Sequence, residues 1–461
     1  MTLSDALCAH VAETPFVAIS SRALEMTRVA LLDAIGVMLG ASGLSDEARP
    51  FRALALAGGA GPSLLLGHDE RVSVPAAAFA NGALAHALDY EDAFDPAPTH
   101  PNASLVPALL ALADARGTNG ETFLAAMAIG CDLSCRLALA LRRRMEEGGW
   151  YPPPIIGVIG AAVGAARLLG LDARRTRDAL SIALCQATAP GEIKHSRATT
   201  IRAVREAFPA QASVQAALLA EAGVVGFEAP IEGPGGFYRL FAGGAYDESV
   251  LIDRLGEHWW GEELSFKRWP ACRGTHAYIE AALRLCGQLG GRTVERLTLI
   301  VGEVQRMLVD PLARKQAPAT AIDAKFSIPF TVALALARGD VGLHDFGPDA
   351  LADPALLALT ARMTAIVDAA RVPTAFGGVI EADLSDGPHL TLDVPVPLGH
   401  PTRPLSREAM LDKFVACAAA AARPYAEPEA RELAEAILSL DRRASPSDLL
   451  RRPKGARPCA A

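Results

Sequence analysis

The chain has 461 residues, 51% of them hydrophobic and 21% charged, with a formal net charge of −8. That apolar content excludes a disordered chain, and the acidic balance excludes nucleic acid as the main partner, because phosphate binding needs a cationic face. The length exceeds what one core accommodates, so two domains are expected; alanine runs and an aromatic content of only 5% predict tightly packed helices.

The first segment, MTLSDALCAHVAETPF, has no basic stretch ahead of an apolar one and does not read as a secretion signal. Ser20 and Ser21 can cap a helix through RALEMTRVALLDAIGVMLGAS, with Leu24, Val29, Leu31, Leu32, Ile35 and Leu39 among its apolar positions. Further helices are expected over about 75–89, 105–115, 120–141 and 157–169. Gly157, Gly160 and Gly164 share a helix face, which predicts close packing there. The longest apolar run, 152–166, is shorter than the ~20 residues of a membrane span, so a buried helix and no membrane contact are expected.

After about residue 290 the texture changes. VERLTLIVGEV alternates like a strand, and GGVIEADLSDGPHLTLDVPVP reads as a hairpin split by Ser-Asp-Gly-Pro. Helices are expected over 277–289 and 329–337, and again in SREAMLDKFVACAAAAA, with Ser406 as a cap. The expected architecture is mainly α with an α+β second domain: a large helical domain over 1–264 and 402–461, and a smaller α+β lid over 265–401. Arg442, Arg443, Arg451, Arg452, Lys454 and Arg457 form a basic tail, expected to be solvated.

Eight cysteines are scattered without a dense framework or a CxxC pair. This pattern suits a reducing, cytoplasmic compartment and leaves no iron–sulfur or structural zinc set; even Cys131 and Cys135, four apart, lack completing ligands. No metal or cofactor is therefore expected. No dinucleotide fingerprint follows a strand, and P-loop, GxSxG and HExxH motifs are absent.

Two segments concentrate chemistry. In NGALAHALDYEDAFDPAPTHPNASLVPALLALAD, residues 81–114, two histidines, four acids and three prolines fall between His86 and Pro101. His86, Asp89 and Asp92 recur every three residues and would share one side of a persisting helix. In SFKRWPACRGTHAYIEAA, residues 265–282, Lys267, Arg268, Arg273 and His276 surround a turn before a helix, where cations and free backbone N–H groups make a carboxylate site. Arg273 could lower the thiol pKa of Cys272, yet no base accompanies it. Tyr151 stands at the mouth of the glycine-rich helix, and Arg205 precedes a small-residue helix by about one turn.

These segments, in this order, resemble the MmgE/PrpD family, which includes 2-methylcitrate dehydratase, cis-aconitate decarboxylase and an iminodisuccinate epimerase. The resemblance extends to KFSIPFTVALALARG at 325–339, EGPGGFYRLF at 232–241 and PLSREAMLDKF at 404–414. It implies a homodimer with the active site between a helical domain and a lid, and it places Asp89, His100 and His276 on active-site positions. Asp89 and His100 stand one residue further apart than in the decarboxylase pattern. Tyr151 replaces its His, Arg205 its Lys, Ala93 its Thr and Phe330 its Tyr. Arg205 cannot give up its proton and Phe330 has no hydroxyl, so charge recognition is kept while fewer groups shuttle protons.

The implied activity is a cofactor-independent hydro-lyase on a small di- or tricarboxylic acid, similar to 2-methylcitrate dehydratase. His100 and Asp89 would form the acid–base pair and His276 would stabilise or protonate the developing anion. Lys267, Arg205, Arg273 and Tyr151 would bind substrate. Epimerisation, decarboxylation and a non-catalytic polycarboxylate-binding role are the alternatives.

Overall fold

The protein is described from a computed structural model that covers residues 2–196, 199–441 and 444–451, the Ser447 side chain excepted. The first part is helical: α1 (Leu3–Glu13), α2 (Ser21–Leu44), α3 (Arg49–Ala57), α4 (Val74–Ala87), α5 (Pro101–Arg116), α6 (Gly120–Leu139), α7 (Pro152–Leu168), α8 (Ala173–Leu184) and α9 (Ala207–Glu221). Ser20 caps α2 by accepting from the Ala23 N–H at 2.9 Å. An unpredicted two-stranded hairpin, β1 (Ala60–Leu64) with β2 (Arg71–Val72), interrupts the series.

Helix α7 lies at the centre, packed on α5, α6, α8 and α9. Its glycines make that possible. A Cβ at Gly157 would lie 2.6 Å from Ser104 Oγ, one at Gly160 2.7 Å from the Gly130 carbonyl, and one at Gly164 2.6 Å from Leu105 Cδ1. Helices α2 and α6 are long and apolar enough to cross a membrane, but most of each is buried within the protein, as in core helices.

Short helices α10 (Phe237–Ala242) and α11 (Glu248–Ile252) lead to α12 (His276–Cys286) and the second part. There β3 (Val294–Val301), β4 (Met363–Val367), β5 (Gly378–Leu384) and β6 (His389–Val394) form a sheet in the order β4-β3-β5-β6. The predicted hairpin is β5–β6, paired antiparallel from Gly378↔Val394 to Asp383↔His389. Strand β4, unpredicted, pairs parallel with β3. Between β3 and β4 run α13 (Leu312–Gln316), α14 (Ala321–Lys325), α15 (Ile328–Arg338), α16 (Pro348–Leu351) and α17 (Pro354–Thr360). The fold is a large helical body with a smaller α+β part.

Helices α18 (Arg407–Ala419) and α19 (Glu427–Leu438) return to pack on α2, and α20 (Pro446–Leu449) on α5. Of the basic tail, Arg442, Arg443, Arg452, Lys454 and Arg457 lie outside the described residues. Arg451 bonds the buried Asp114 at 3.1 Å and pairs with Asp448.

Candidate active site

Helix α4 stops at Ala87, and Asp89 adopts φ +50, a left-handed conformation that Asp tolerates better than most residues. The helical repeat that would align His86, Asp89 and Asp92 therefore breaks, and Glu91 takes the expected place of Asp92. His86 Nδ1 lies 2.5 Å from Glu91 Oε1 and 3.6 Å from Asp89 Oδ1. Lys267 holds the strained turn: its Nζ donates to the Asp89 carbonyl at 2.9 Å and to Oδ1 at 2.7 Å. Glu91 Oε2 is 3.7 Å from the same ammonium. Burial works against the Lys267 charge, but Asp89 and Glu91 outweigh it and raise its pKa.

Asp92 turns the other way. It is fully buried, accepts from Asn102 Nδ2 at 3.1 Å, and is pushed up to about 8 by desolvation and by nearby Asp33. Its backbone carbonyl instead serves the site, lying 2.8 Å from His100 Nδ1. His100 sits just before α5, its side chain 19% exposed, its ring centroid 5.9 Å from that of His86. Desolvation pulls it down to about 3 against the opposing charge of Glu91. His100 donates Nδ1–H to the Asp92 carbonyl, with Glu91 Oε1 3.4 Å from the same nitrogen, and its lowered pKa favours the neutral ring.

The third contribution comes from the turn before α9. Arg205 is buried, with Nε 3.0 Å from Glu206 Oε1, and its guanidinium lies 5.1 Å from the Tyr151 ring. Tyr151 also carries Lys194 over its ring at 5.6 Å. Glu206 accepts from Ser104 at 2.5 Å. A cleft of about 590 Å³, lined by Pro154, Gln186, Thr188, Gln211 and Gln215 among others, reaches this cluster at Arg205.

Other expected site residues are held by neighbours within the chain. His276, the first residue of α12, is fully buried: its Nε2–H donates to the Ala271 carbonyl at 3.2 Å, and its ring packs edge-on against Trp269. Among the described residues it makes no hydrogen bond, ion pair or ring contact with His86 or His100. The imidazole beside His100 is thus His86. Arg273, expected as a substrate anchor, is committed within the chain: it grips Asp95 through Nε and Nη2 and donates to the Leu398 carbonyl at 2.9 Å. Desolvation pushes the Cys272 thiol up to about 11, away from the thiolate form. Phe330 is a core residue of α15, and Ala93 pairs with Ser265 by backbone bonds.

Ligand atoms of His86, Asp89 and Glu91 lie within 4.8 Å of one another, close enough for a metal. A dication would have to displace the Lys267 ammonium that already balances both carboxylates. Sequence reasoning passed over Glu91, Glu206, Arg202 and Lys413. Glu91 lay in the flagged acidic loop; Arg202 stands three residues before Arg205.

The MmgE/PrpD N-terminal domain matches residues 5–249, and the MmgE/PrpD C-terminal domain matches 269–441. The chain belongs to the MmgE/PrpD family. It is 27% identical over 360 residues to cis-aconitate decarboxylase of Homo sapiens, covering 75% of this chain and 73% of that protein. The cis-aconitate decarboxylase-like protein oryM of Aspergillus oryzae is 26% identical over 467 residues, 96% of this chain and 95% of its own. Cis-aconitate decarboxylase of Aspergillus terreus is 24% identical over 414 residues, 85% and 83% of the two chains. Membership of the MmgE/PrpD family carries an enzyme of dehydratase or decarboxylase type at the level of the family. The C-terminal match also runs through α18 and α19, which pack on α2.

Proposed function

We propose that this MmgE/PrpD enzyme is a hydro-lyase acting on a small polycarboxylic acid, in the manner of 2-methylcitrate dehydratase, with His100 as the base. The observation that carries this reading is the His100 ring, anchored through Nδ1 on the Asp92 carbonyl, with the Arg205 charge acting on it. His100 Nε2 takes the proton from the carbon next to a carboxylate. The electron pair passes into that carboxylate, whose charge Arg205 stabilises. Its return forms the double bond and expels the hydroxyl from the neighbouring carbon, and the proton on His100 leaves with it as water. Lys267, paired with Asp89 and Glu91, shapes this loop instead of anchoring substrate.

Decarboxylation is the second reading, favoured by the names of the relatives. It requires a proton delivered to carbon after CO₂ departs, where dehydration requires one removed from carbon. Incubation with 2-methylcitrate and with cis-aconitate, followed by mass spectrometry, separates the two. Loss of water from the first supports the dehydratase; CO₂ release from the second alone replaces it. His100→Ala is expected to lower turnover by about 10²-fold or more, the scale of a lost general base. A folded variant with near-native turnover removes the assignment.

A further inference from the structure

Arg202 is a buried charge without a counter-ion among the described residues. Its residue is only 5% exposed, and neither Nε nor Nη2 has a hydrogen-bond partner. Among the described residues no carboxylate forms an ion pair with it. Its guanidinium carbon lies 3.4 Å from the centre of the Phe326 ring, at the junction of α14 and α15. That contact crosses from the helical body to the α+β part. Phe326 in turn lies 6.4 Å from the His86 ring, so Arg202 borders the site just described.

Stacking on an aromatic face partly compensates a buried cation, but it leaves the in-plane N–H groups unanswered. A buried guanidinium without an anion is costly, and proteins normally pair it. The surroundings do not supply the missing charge. Burial and Arg202 together pull Lys315 down to about 8, and Lys194 is lowered for the same two reasons among others.

The unpartnered atoms also have a geometry. Nε and Nη2 form the side-on edge of a guanidinium, the edge that grips a carboxylate with two parallel bonds. Arg205 Nε is ion-paired with Glu206 at 3.0 Å, and its Nη2 has no hydrogen-bond partner. The backbone between the two arginines turns with i to i+3 bonds, Ala203 to Thr200, Val204 to Ile201 and Ala207 to Val204. In such a turn residues three apart project to one side. The Arg205 Nη1 donates to the Arg202 carbonyl at 3.2 Å, which fixes the two relative to each other.

We propose that Arg202 is a specificity-determining residue that seats a second substrate carboxylate beside the one held by Arg205. The substrate then carries at least two carboxylates placed to meet both edges, and a compound lacking one of them forfeits the Arg202 contact. This inference rests on reading the cleft as a polycarboxylate site and adds the residue that counts the carboxylates.

The test is binding, not turnover, using the full chain and the unreactive probe propane-1,2,3-tricarboxylate in calorimetric titration. Arg202→Gln is expected to weaken binding roughly tenfold or more, the loss of a charge-assisted bidentate contact. The loss should shrink for at least one of the two-carboxylate probes, glutarate or succinate. Equal affinity of wild type and Arg202→Gln for the tricarboxylate overturns the inference while the lyase reading stands. If wild type ignores carboxylates but inorganic sulfate raises its Tm in an Arg202-dependent way, the lyase reading falls and an anion seat at Arg202 remains. If neither anion binds wild type, both fall. Should Arg202→Gln not fold, Arg202→Lys makes the same comparison, because it keeps the charge but cannot present two parallel N–H groups.

Discussion

His100 is partly buried and Asp92 fully so, and desolvation moves their pKa values in opposite directions because it penalises the charged form of each. His100, at about 3 in the folded protein, stays neutral where a free histidine would take up a proton. The acid limb of kcat/KM is therefore expected well below pH 6.5, and a limb at the usual histidine value would remove the neutral-base assignment. The same depression means that stability contributed by His100 is lost as pH falls from about 6.5 toward about 3, because the unfolded chain binds the proton first. Asp92 has the opposite sign. Its folded pKa, about 8, exceeds the unfolded value near 3.9, so its stabilising contribution is present at low pH and lost as pH rises to about 8. Asp92→Asn should match wild type in Tm near pH 4 and exceed it near pH 8; coincident curves would contradict the buried, protonated carboxyl.

Helix α18 explains why the closing PLSREAMLDKF segment matters. Its Lys413 reaches Asp33 of α2 at 2.6 Å and donates to the carbonyls of Tyr90 at 2.7 Å and Lys267 at 2.9 Å. It also lies 3.8 Å over the Tyr90 ring. One buried ammonium thus ties two helices to both chain segments that build the site. Lys413→Ala should cost about 3–5 kcal/mol, because it strands the buried Asp33 carboxylate. Urea denaturation measures this, and a cost below about 1 kcal/mol, the worth of a surface pair, would show that the tie is dispensable. Helices α2, α4, α5, α6 and α7 were legible in the sequence to within about five residues from their apolar content, and α2 also from its Ser20 cap, whereas α1, α3 and α8 were not expected. Strands β1, β2 and β4 were not. AGPSL carries Gly and Pro, and MTAIV is only five residues long within an alanine-rich helical context. Too few residues alternate there for a period of two to emerge.

Across the molecule, the site depends on how the 265–276 segment is bound to the helical body. Arg273 is the strap: it joins Asp95 of the acidic loop to the Leu398 carbonyl. Arg273→Lys keeps the charge but loses the bidentate grip, so it should lower Tm while leaving substrate KM nearly unchanged. A large rise in KM with an unchanged Tm would return Arg273 to the role of substrate anchor.

The order of helices, the hairpin, the dense polar loop and the family resemblance were all present in the sequence, because periodicity, capping and turn chemistry are local. Which imidazole faces His100, which carboxylate meets Lys267, and which arginine is left without an anion were decided only in three dimensions. The spacing of His86, Asp89 and Asp92 pointed to Asp92, yet a single left-handed residue at Asp89 ended the helix and brought in Glu91. Sequence spacing predicts neighbours only while one backbone conformation continues, and charge pairing between distant segments depends on distances that the chain order does not contain.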